Sequence, residues 1–333
     1  MWRNWLEVYR TCNLSADRPM DPISRWLLIV RCCVFPMTFI SAAIGGLLAA
    51  AVGRFDVVPF GLSMIGLLLA HAANNMINDY FDLETGLDTA EYVRSQYAPH
   101  PVLSGLVTRA QLLRAILLVN ALDAGIALYL TALRGWPILA FALAGLLISV
   151  FYVAPPIRLK RIGLGELGVF LVWGPLMIGG TFYATTGMLP PWVWLASLPY
   201  GLLVATVLIG KHIDKLEQDR AQGIYTLPVL LGERAARALN VGLMIAFYVV
   251  VLSLALVRVL GPWVLLTLFS LPRLVEVVRT YIRSRPSTPP PNYPVWPLWY
   301  VSWAFIFNRR AGALFLVGLL LNLVFPVRLL GGF

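Results

Sequence analysis

Two short acidic segments contain the residues whose types and spacing could do chemistry. In the first, HAANNMINDYFDLETGLD, Asn78 and Asp82 are four residues apart and would share one face of a helix, with Asp79 beside them. Gly86 would let the chain turn so that Asp88 reaches back toward this face. Carboxylate and amide oxygens suit Mg²⁺, which also commonly binds phosphate oxygens. We therefore predict that Asn78, Asp79, Asp82 and Asp88 are metal ligands.

The second acidic segment, KHIDKLEQDRAQGIYTLP, lies in the second half of the chain. It contributes Asp214, Glu217 and Asp219 as further candidate metal ligands, interleaved with basic residues. Either segment alone could be a solvated loop at the end of a helix. Two dense acidic groups on one face would repel each other unless something bound between them, and such a pair could hold metal ions around a phosphate-containing ligand.

The elements that position these segments are expected to lie in lipid. Of the 333 residues, 59% are hydrophobic and 13% are charged, whereas soluble domains contain about 25% charged residues. Several apolar stretches reach the roughly 20 residues that a helix needs to cross a bilayer. We predict an all-α fold, an integral membrane bundle of about nine transmembrane helices with cytoplasmic cap loops. The predicted spans are 25–51, 57–78, 110–132, 136–153, 164–186, 192–212, 237–257, 260–278 and 298–327.

Basic residues predict how the chain is oriented. The net charge is +10, but single basic residues are scattered between apolar runs and form no stripe, so we expect no nucleic-acid partner. Most basic residues fall in loops on one side of the predicted bundle, and this places the N-terminus and both acidic segments in the cytoplasm and the C-terminus outside, in a bacterial-type cytoplasmic membrane.

The prediction is a single membrane domain over 1–333, with a cytoplasmic N-terminal segment at 1–24, helices one to eight over 25–278, catalytic loops at 79–109 and 211–236, a proline-rich linker at 284–297 and a last helix at 298–327.

Some polar residues are not explained by either acidic segment. Arg309 and Arg310 are adjacent in the last predicted span, where two arginines are costly unless they are paired or hydrated. They predict either a second polar pocket or a break in that helix. The cysteines Cys12, Cys32 and Cys33 form no metal-binding spacing and are interpreted as packing residues.

The first acidic segment resembles a known signature. Residues 78–82, NDYFD, followed by Gly86 and Asp88, resemble the NDYFDxxxGxD signature of the UbiA superfamily of intramembrane prenyltransferases, closest to its menaquinone-pathway (MenA-like) branch. Further segments extend the resemblance from about residue 31 to 232 in the family's order. These are Arg31 and Pro36 (RPxxxP), HPVLSG at 100–105 (RPxxSG, with His100 in place of arginine), YVAPPIRLKRIGLGE at 152–166, and Asp219-Arg220 with Gly223 and Thr226-Leu227 (DRxxGxxTL).

The resemblance implies a Mg²⁺-dependent prenyltransferase that acts on a polyprenyl diphosphate and a small aromatic acceptor related to quinone precursors. The prenyl chain would lie among the helices of the bundle and the diphosphate at the aspartates. The implied catalytic residues are Asn78, Asp82, Asp88, Asp214, Asp219 and Tyr152, whose ring could steady an allylic cation. The implied diphosphate contacts are Arg31, Arg94, Arg158, Lys160, Lys211 and Ser104.

The second motif departs from the family pattern. It usually reads NNxRDxxxDR, with two aspartates four residues apart, but Lys215 occupies the position four before Asp219. On a regular helix Asp214 and Asp219 would point about 140° apart. Either an irregular helix brings these two aspartates together, or Glu217 replaces one ligand.

Three functions fit these features. The first is prenyl transfer to an aromatic acceptor such as a naphthoate or a benzoate. The second is a terpene cyclase on the same scaffold, in which the allylic cation closes on its own double bonds. The third is a cation or lipid transporter, in which the acidic loops would bind ions in transit.

Overall fold

Helices form every regular element in the part of the chain that the computed structural model describes, which is residues 1–15, 17–87, 98–291, 293 and 295–326. The α-helices are α1 (Trp2–Thr11), α2 (Pro22–Ile29), α3 (Phe35–Ala51), α4 (Val57–Glu84), α5 (Arg109–Arg134), α6 (Pro137–Val153), α7 (Gly165–Thr186), α8 (Pro191–Asp214), α9 (Leu216–Ala221), α10 (Leu227–Leu231), α11 (Glu233–Leu256), α12 (Leu271–Ile282) and α13 (Tyr300–Val324).

Seven helices of the described chain are long and apolar enough to cross a membrane, and α6 is a shorter apolar helix of the same kind. The seven are α3 with the 3₁₀ turn before it, α4, α5, α7, α8, α11 and α13. The predicted all-α membrane bundle is confirmed. Three of the nine predicted spans are not continuous α-helices: the first and the eighth are interrupted, and the fifth contains a π-helical stretch.

The first predicted span is interrupted where it meets the acidic end of α4. α2 ends at Ile29, Arg31 adopts a left-handed conformation with φ of 54°, and a 3₁₀ turn leads into α3. Pro36 stands in the first turn of α3, where its missing amide hydrogen costs nothing because the first amides of a helix have no intrahelical partner, so it suits a helix start. The Asn75 amide donates to the Val30 carbonyl over 2.9 Å and so satisfies a backbone group left open by the break.

A disulfide joins two of the cysteines near this break. Cys12, at the end of α1, is bonded to Cys33, with 5.3 Å between their Cα atoms. The interpretation of the cysteines as packing residues is therefore wrong for this pair and agrees only with Cys32, which is buried and free. The bond ties the N-terminal helix to the start of α3.

The eighth predicted span consists of a 3₁₀ helix, Pro262–Ser270, followed by α12. Pro262 and Pro272 each lack the amide hydrogen that a continuous helix would use. α12 buries Leu274, Val277 and Tyr281 on one face, and its charged residues lie on the other. With 12 residues, α12 is also too short to cross a bilayer, and it is not among the seven spans.

The core is built around α8, the most buried of the seven spans. Gly201 of α8 lies against α7, where a Cβ atom at this position would be 2.9 Å from the Phe170 carbonyl oxygen and 3.1 Å from the Gly174 Cα. α7 has a π-helical stretch here that contains Pro175, whose missing amide hydrogen favours this irregularity. Small residues thus let the two backbones come close, as in other membrane helix pairs.

The close approach of α7 and α8 predicts a specific sensitivity. Gly201→Val should lower the free energy of unfolding by about 1–3 kcal/mol, because the added atoms must displace backbone. Gly242→Val in α11 is the matched control, since a Cβ there meets nothing within 4 Å. Thermal melting of both variants in detergent measures the difference. An unchanged midpoint for Gly201→Val would contradict the packing described.

Candidate active site

The end of α4 holds the first acidic segment in a fixed turn. Gly86 has a φ of +68°, and the Leu87 amide donates to the Asp82 carbonyl over 2.8 Å, closing the helix with a Schellman-type turn. Within the helix, the Asn78 amide donates to Asp82 Oδ2 over 3.0 Å, as their spacing predicts. The backbone of Asp82 is therefore fixed by the turn, and its side chain is oriented by Asn78.

The second acidic segment ends in the same turn at the end of α9. Gly223 has a φ of +66°, and the Ile224 amide donates to the Asp219 carbonyl over 2.8 Å. The buried side chains of Leu87 and Ile224 pack against each other. Since each lies five residues after its aspartate, the contact brings the two acidic segments together at one end of the bundle.

Buried pairs of acidic and basic side chains surround this junction. Asp82 Oδ2 lies 2.8 Å from Lys160 Nζ, and both side chains are buried. Buried charges are retained only when they are paired and hydrogen-bonded, so each such pair fixes the segments that contribute it. The other pairs are Asp79 with Arg31, Glu166 with His212 (2.6 Å), and Asp219 with Lys215 (3.5 Å).

Tyr152 lies between these charges at the end of α6. Its hydroxyl is within electrostatic range of Asp82, Glu166 and Asp219. Gly165 leaves room for the ring, because a Cβ atom there would be 2.9 Å from it. Tyr152 therefore lies near both aspartate segments and lines the cavity beside them.

The cavity has a volume of about 590 Å³ and lies between α3, α4, α5, α6, α7, α8 and α13. Its polar residues at the acidic end include Asn78, Asp82, Tyr152, Lys160, Lys211 and Lys215, together with Arg31 and His212. Farther into the bundle most of the wall is apolar, with Ile126, Leu130 and Ile138 among its residues, although Asn120 and Asp123 of α5 also line it. This arrangement suits a ligand with an anionic head and a long apolar body.

Asp214, a predicted metal ligand, lies beside the start of α13 and not on the cavity wall. Its two carboxylate oxygens accept hydrogen bonds from the amides of Tyr300 and Val301, each over 2.9 Å, at the start of α13. The first amides of a helix lack intrahelical partners and favour a negative charge. Asp214 therefore caps α13, and it does not line the cavity.

Neither alternative for the second motif matches the structure. The helix does break at Lys215, between α8 and α9, but the two aspartates contact different partners: Asp214 the amides at the start of α13, and Asp219 the Lys215 side chain. Glu217 points outward, with its side chain 79% exposed and paired with Arg220. Lys215 itself lines the cavity and contacts Asp219, so Asp219 is fully buried behind a lysine.

Two predicted diphosphate contacts lie away from the cavity wall. The exposed Ser104 donates its hydroxyl to the His100 carbonyl over 2.6 Å, and Arg158 occupies a left-handed turn before the 3₁₀ helix Leu159–Ile162. Asp88 and Arg94 lie outside the described residues. The sequence reasoning missed the pairing of Glu166 with His212, although Glu166 lies in a segment that carries the family resemblance and His212 lies in the second acidic segment.

The donor set at the acidic end fits a magnesium ion that also binds phosphate. In the described part of the chain, no three His, Cys, Asp or Glu side chains are grouped so that they could hold a metal by themselves. The oxygens Asn78 Oδ1 and Asp82 Oδ1 have no partner among the described residues, and both residues line the cavity. Mg²⁺ usually takes one or two carboxylates and completes its shell with phosphate oxygens and water, so this set fits it.

Comparison with known proteins places the chain among membrane prenyltransferases. Residues 38–302 match the model of the UbiA prenyltransferase family. The 1,4-dihydroxy-2-naphthoate octaprenyltransferase of Escherichia coli (strain K12) is 28% identical over 274 residues, which are 80% of this chain and 88% of that protein. The enzyme of the same name from Bacillus subtilis (strain 168) is 26% identical over 252 residues, which are 74% of this chain and 78% of that protein.

Solved structures share the fold. The apo structure of a UbiA homolog from Aeropyrum pernix K1 has a TM-score of 0.66 at 19% identity, covering 86% of this chain and 98% of that one. A UbiA homolog from Archaeoglobus fulgidus, bound to GPP and Mg²⁺, has a TM-score of 0.54 at 16% identity, covering 87% and 99%.

The placement of Asp214 predicts a stabilising role. Asp214→Asn should lower the free energy of unfolding by about 1 kcal/mol, because the start of α13 loses a charged acceptor. Binding of Mg²⁺ with inorganic diphosphate should stay within about twofold, because Asp214 is not on the cavity wall. Thermal melting and calorimetric titration measure the two effects. A large loss of diphosphate binding at an unchanged melting midpoint would contradict the capping role and show that Asp214 is a metal ligand.

Proposed function

This chain belongs to the UbiA prenyltransferase family, and from that premise we propose that it transfers a polyprenyl group from an isoprenoid diphosphate to a small aromatic acceptor. Family membership confirms both the resemblance and the enzyme class predicted from the motifs. One observation carries the proposal: two aspartate segments meet at the polar end of a cavity whose remaining walls are mostly apolar. A diphosphate head and a prenyl tail match these two parts.

The head of the substrate would be held by charge. Lys160 and Lys211 line the cavity and can each donate to phosphate oxygens. Asn78 and Asp82 are the residues that we propose hold Mg²⁺. When bound, Mg²⁺ would withdraw electron density from the diphosphate and weaken its bond to the allylic carbon.

Asp219 must exchange its present partner before it can take part in binding the metal and the diphosphate. It contacts Lys215, which lines the cavity. We propose that Lys215 turns to the diphosphate when the substrate binds, so that the Asp219 carboxylate becomes available as the acidic group of the second segment. Asp88 and Arg94 complete the family's pattern as further proposed contacts.

The remaining steps follow from the cavity. As the carbon–oxygen bond breaks, its electron pair leaves with the diphosphate, and the lysines stabilise that charge. The ring of Tyr152 can face the allylic cation, and the apolar walls exclude water that would capture it. A ring carbon of the acceptor then forms the new carbon–carbon bond and loses a proton or carbon dioxide.

The names of the relatives support an aromatic acceptor. The enzymes from Escherichia coli and Bacillus subtilis are named for 1,4-dihydroxy-2-naphthoate, and a relative from Synechocystis is named 2-carboxy-1,4-naphthoquinone phytyltransferase. We propose a naphthoate-like acceptor for this chain.

We further propose that the acidic end of the bundle faces the cytoplasm, with the N-terminus inside and the C-terminus outside. The excess of basic residues in the loops on that side supports this orientation. A phosphatase that is active only outside the cell, fused after residue 333, should be active, and an inactive fusion would reverse the assignment.

Loss of either central aspartate should abolish turnover. The assay uses lipid nanodiscs with Mg²⁺, geranylgeranyl diphosphate and 1,4-dihydroxy-2-naphthoate. Asp82→Asn and Asp219→Asn should each reduce diphosphate release by about 100-fold or more, because the metal that balances the charge of the leaving diphosphate is held less well. Glu217→Gln is the matched control from the same segment and should stay within about twofold, since an exposed ion pair contributes little.

The products of this assay separate the related functions. Release that requires the acceptor supports transfer, whereas release without an acceptor and with a cyclic product supports a cyclase. More than about a tenth of wild-type activity in Asp82→Asn would contradict its assigned role.

Removal of divalent metal should stop the reaction and leave the protein folded. Chelation with EDTA should abolish diphosphate release and added Mg²⁺ should restore it, because the described residues leave the shell to be completed by phosphate and water. The melting midpoint should stay unchanged on chelation. Full activity in EDTA would contradict the metal requirement.

A further inference from the structure

A second cationic group lines the cavity on the side of α3 and α13. Arg309 lies nine residues after Tyr300, about 14 Å along α13 from its start. Its guanidinium donates to the Cys33 carbonyl over 3.0 Å and lies 4.3 Å from the centre of the Phe305 ring. Arg309 and Phe305 both line the cavity.

The charge of Arg309 is not balanced by the described protein. Its side chain stays ionised under all ordinary conditions and carries five N–H donors. Nε is buried with no hydrogen-bond partner, and no carboxylate in the described ranges lies within ion-pair distance of it. By contrast, Arg31 on the same cavity is paired with Asp79. An unpaired charge at this depth is costly, so the site favours an anionic ligand.

The position of this group relates it to the reaction site. Cys33, which accepts its hydrogen bond, is two residues from Arg31, so the Cα atoms of Cys33 and Arg31 are at most about 7 Å apart. Arg31 in turn contacts α4 at Asp79, one turn from Asp82. Arg309 therefore lies beside the proposed diphosphate site but on another wall. Phe305 and Ile306 make its surroundings apolar, and the Phe305 ring offers a flat face.

We propose that Arg309 binds the carboxylate of an aromatic acceptor and so positions the ring for attack on the allylic carbon. A guanidinium can donate two parallel hydrogen bonds to a carboxylate, and a planar apolar ring can pack beside Phe305. Reacting atoms must be held about 3–3.5 Å apart, which an anchor on the wall next to the diphosphate would achieve. The inference rests on the proposed prenyl transfer and names the residue that selects its acceptor.

Two acceptors and two variants test the assignment. The acceptors are 1,4-dihydroxy-2-naphthoate and 1,4-dihydroxynaphthalene, which differ by the carboxylate. Arg309→Met should raise the KM for the carboxylated acceptor about 10- to 100-fold and leave the KM for the uncharged acceptor within about twofold of wild type. Arg310→Met is the control, because Arg310 is exposed and is not on the cavity wall; it should match wild type with both acceptors.

Direct binding separates this inference from the proposed function. Quenching of tryptophan fluorescence by each acceptor, without diphosphate or metal, gives a Kd that does not depend on turnover. If the wild-type protein prenylates neither acceptor, the proposed function fails, and a carboxylate preference that is lost in Arg309→Met would still support the anchor. An equal loss of affinity for both acceptors would overturn it in favour of a structural role. An undiminished carboxylate preference in Arg309→Met would also overturn it, and would leave a lipid phosphate as the anion held there.

Discussion

Carboxylates buried in a lipid-embedded protein need a partner, and the described structure depends on how that need is met. Five acidic side chains are buried among the described residues: Asp79, Asp82, Glu166, Asp214 and Asp219. Four pair with a basic side chain, and the fifth accepts two backbone amides at the start of α13. Since the desolvation cost of each is large, a partner out of place would cost several kcal/mol. Most of these contacts join segments that are distant in sequence, and together they order the helices around the cavity.

The same constraint connects the interrupted first span to function. A continuous helix over 25–51 was expected, but the chain breaks at Arg31, whose side chain contacts Asp79 on α4. The 3₁₀ turn that follows the break presents the Cys33 carbonyl to Arg309. One backbone irregularity thus serves both arginines on this side of the cavity, one neutralised by the protein and the other facing the space where a substrate would lie.

Local features of the site could be predicted from the sequence, and long-range ones could not. The spacing of Asn78 and Asp82 predicts their shared helix face, and Gly86 predicts the turn, because both depend on neighbouring residues only. The placement of Asp214 depends on the amides of a helix 86 residues later, which no spacing rule could reveal. The disulfide between Cys12 and Cys33 is another long-range contact of this kind. In the eighth span the signals were present, because Pro262 and Pro272 mark its irregularity, but the apolar window outweighed them.

The contact between Leu87 and Ile224 joins the two aspartate segments, and a cross-link tests it most directly. In a variant with Cys12, Cys32 and Cys33 replaced by serine, Leu87→Cys and Ile224→Cys should form an intramolecular disulfide in native membranes under mild oxidation, because the two side chains pack together. Leu87→Cys with Glu217→Cys, which points outward, should form little. A cross-link in the second pair and none in the first would place the two segments apart and contradict a shared site.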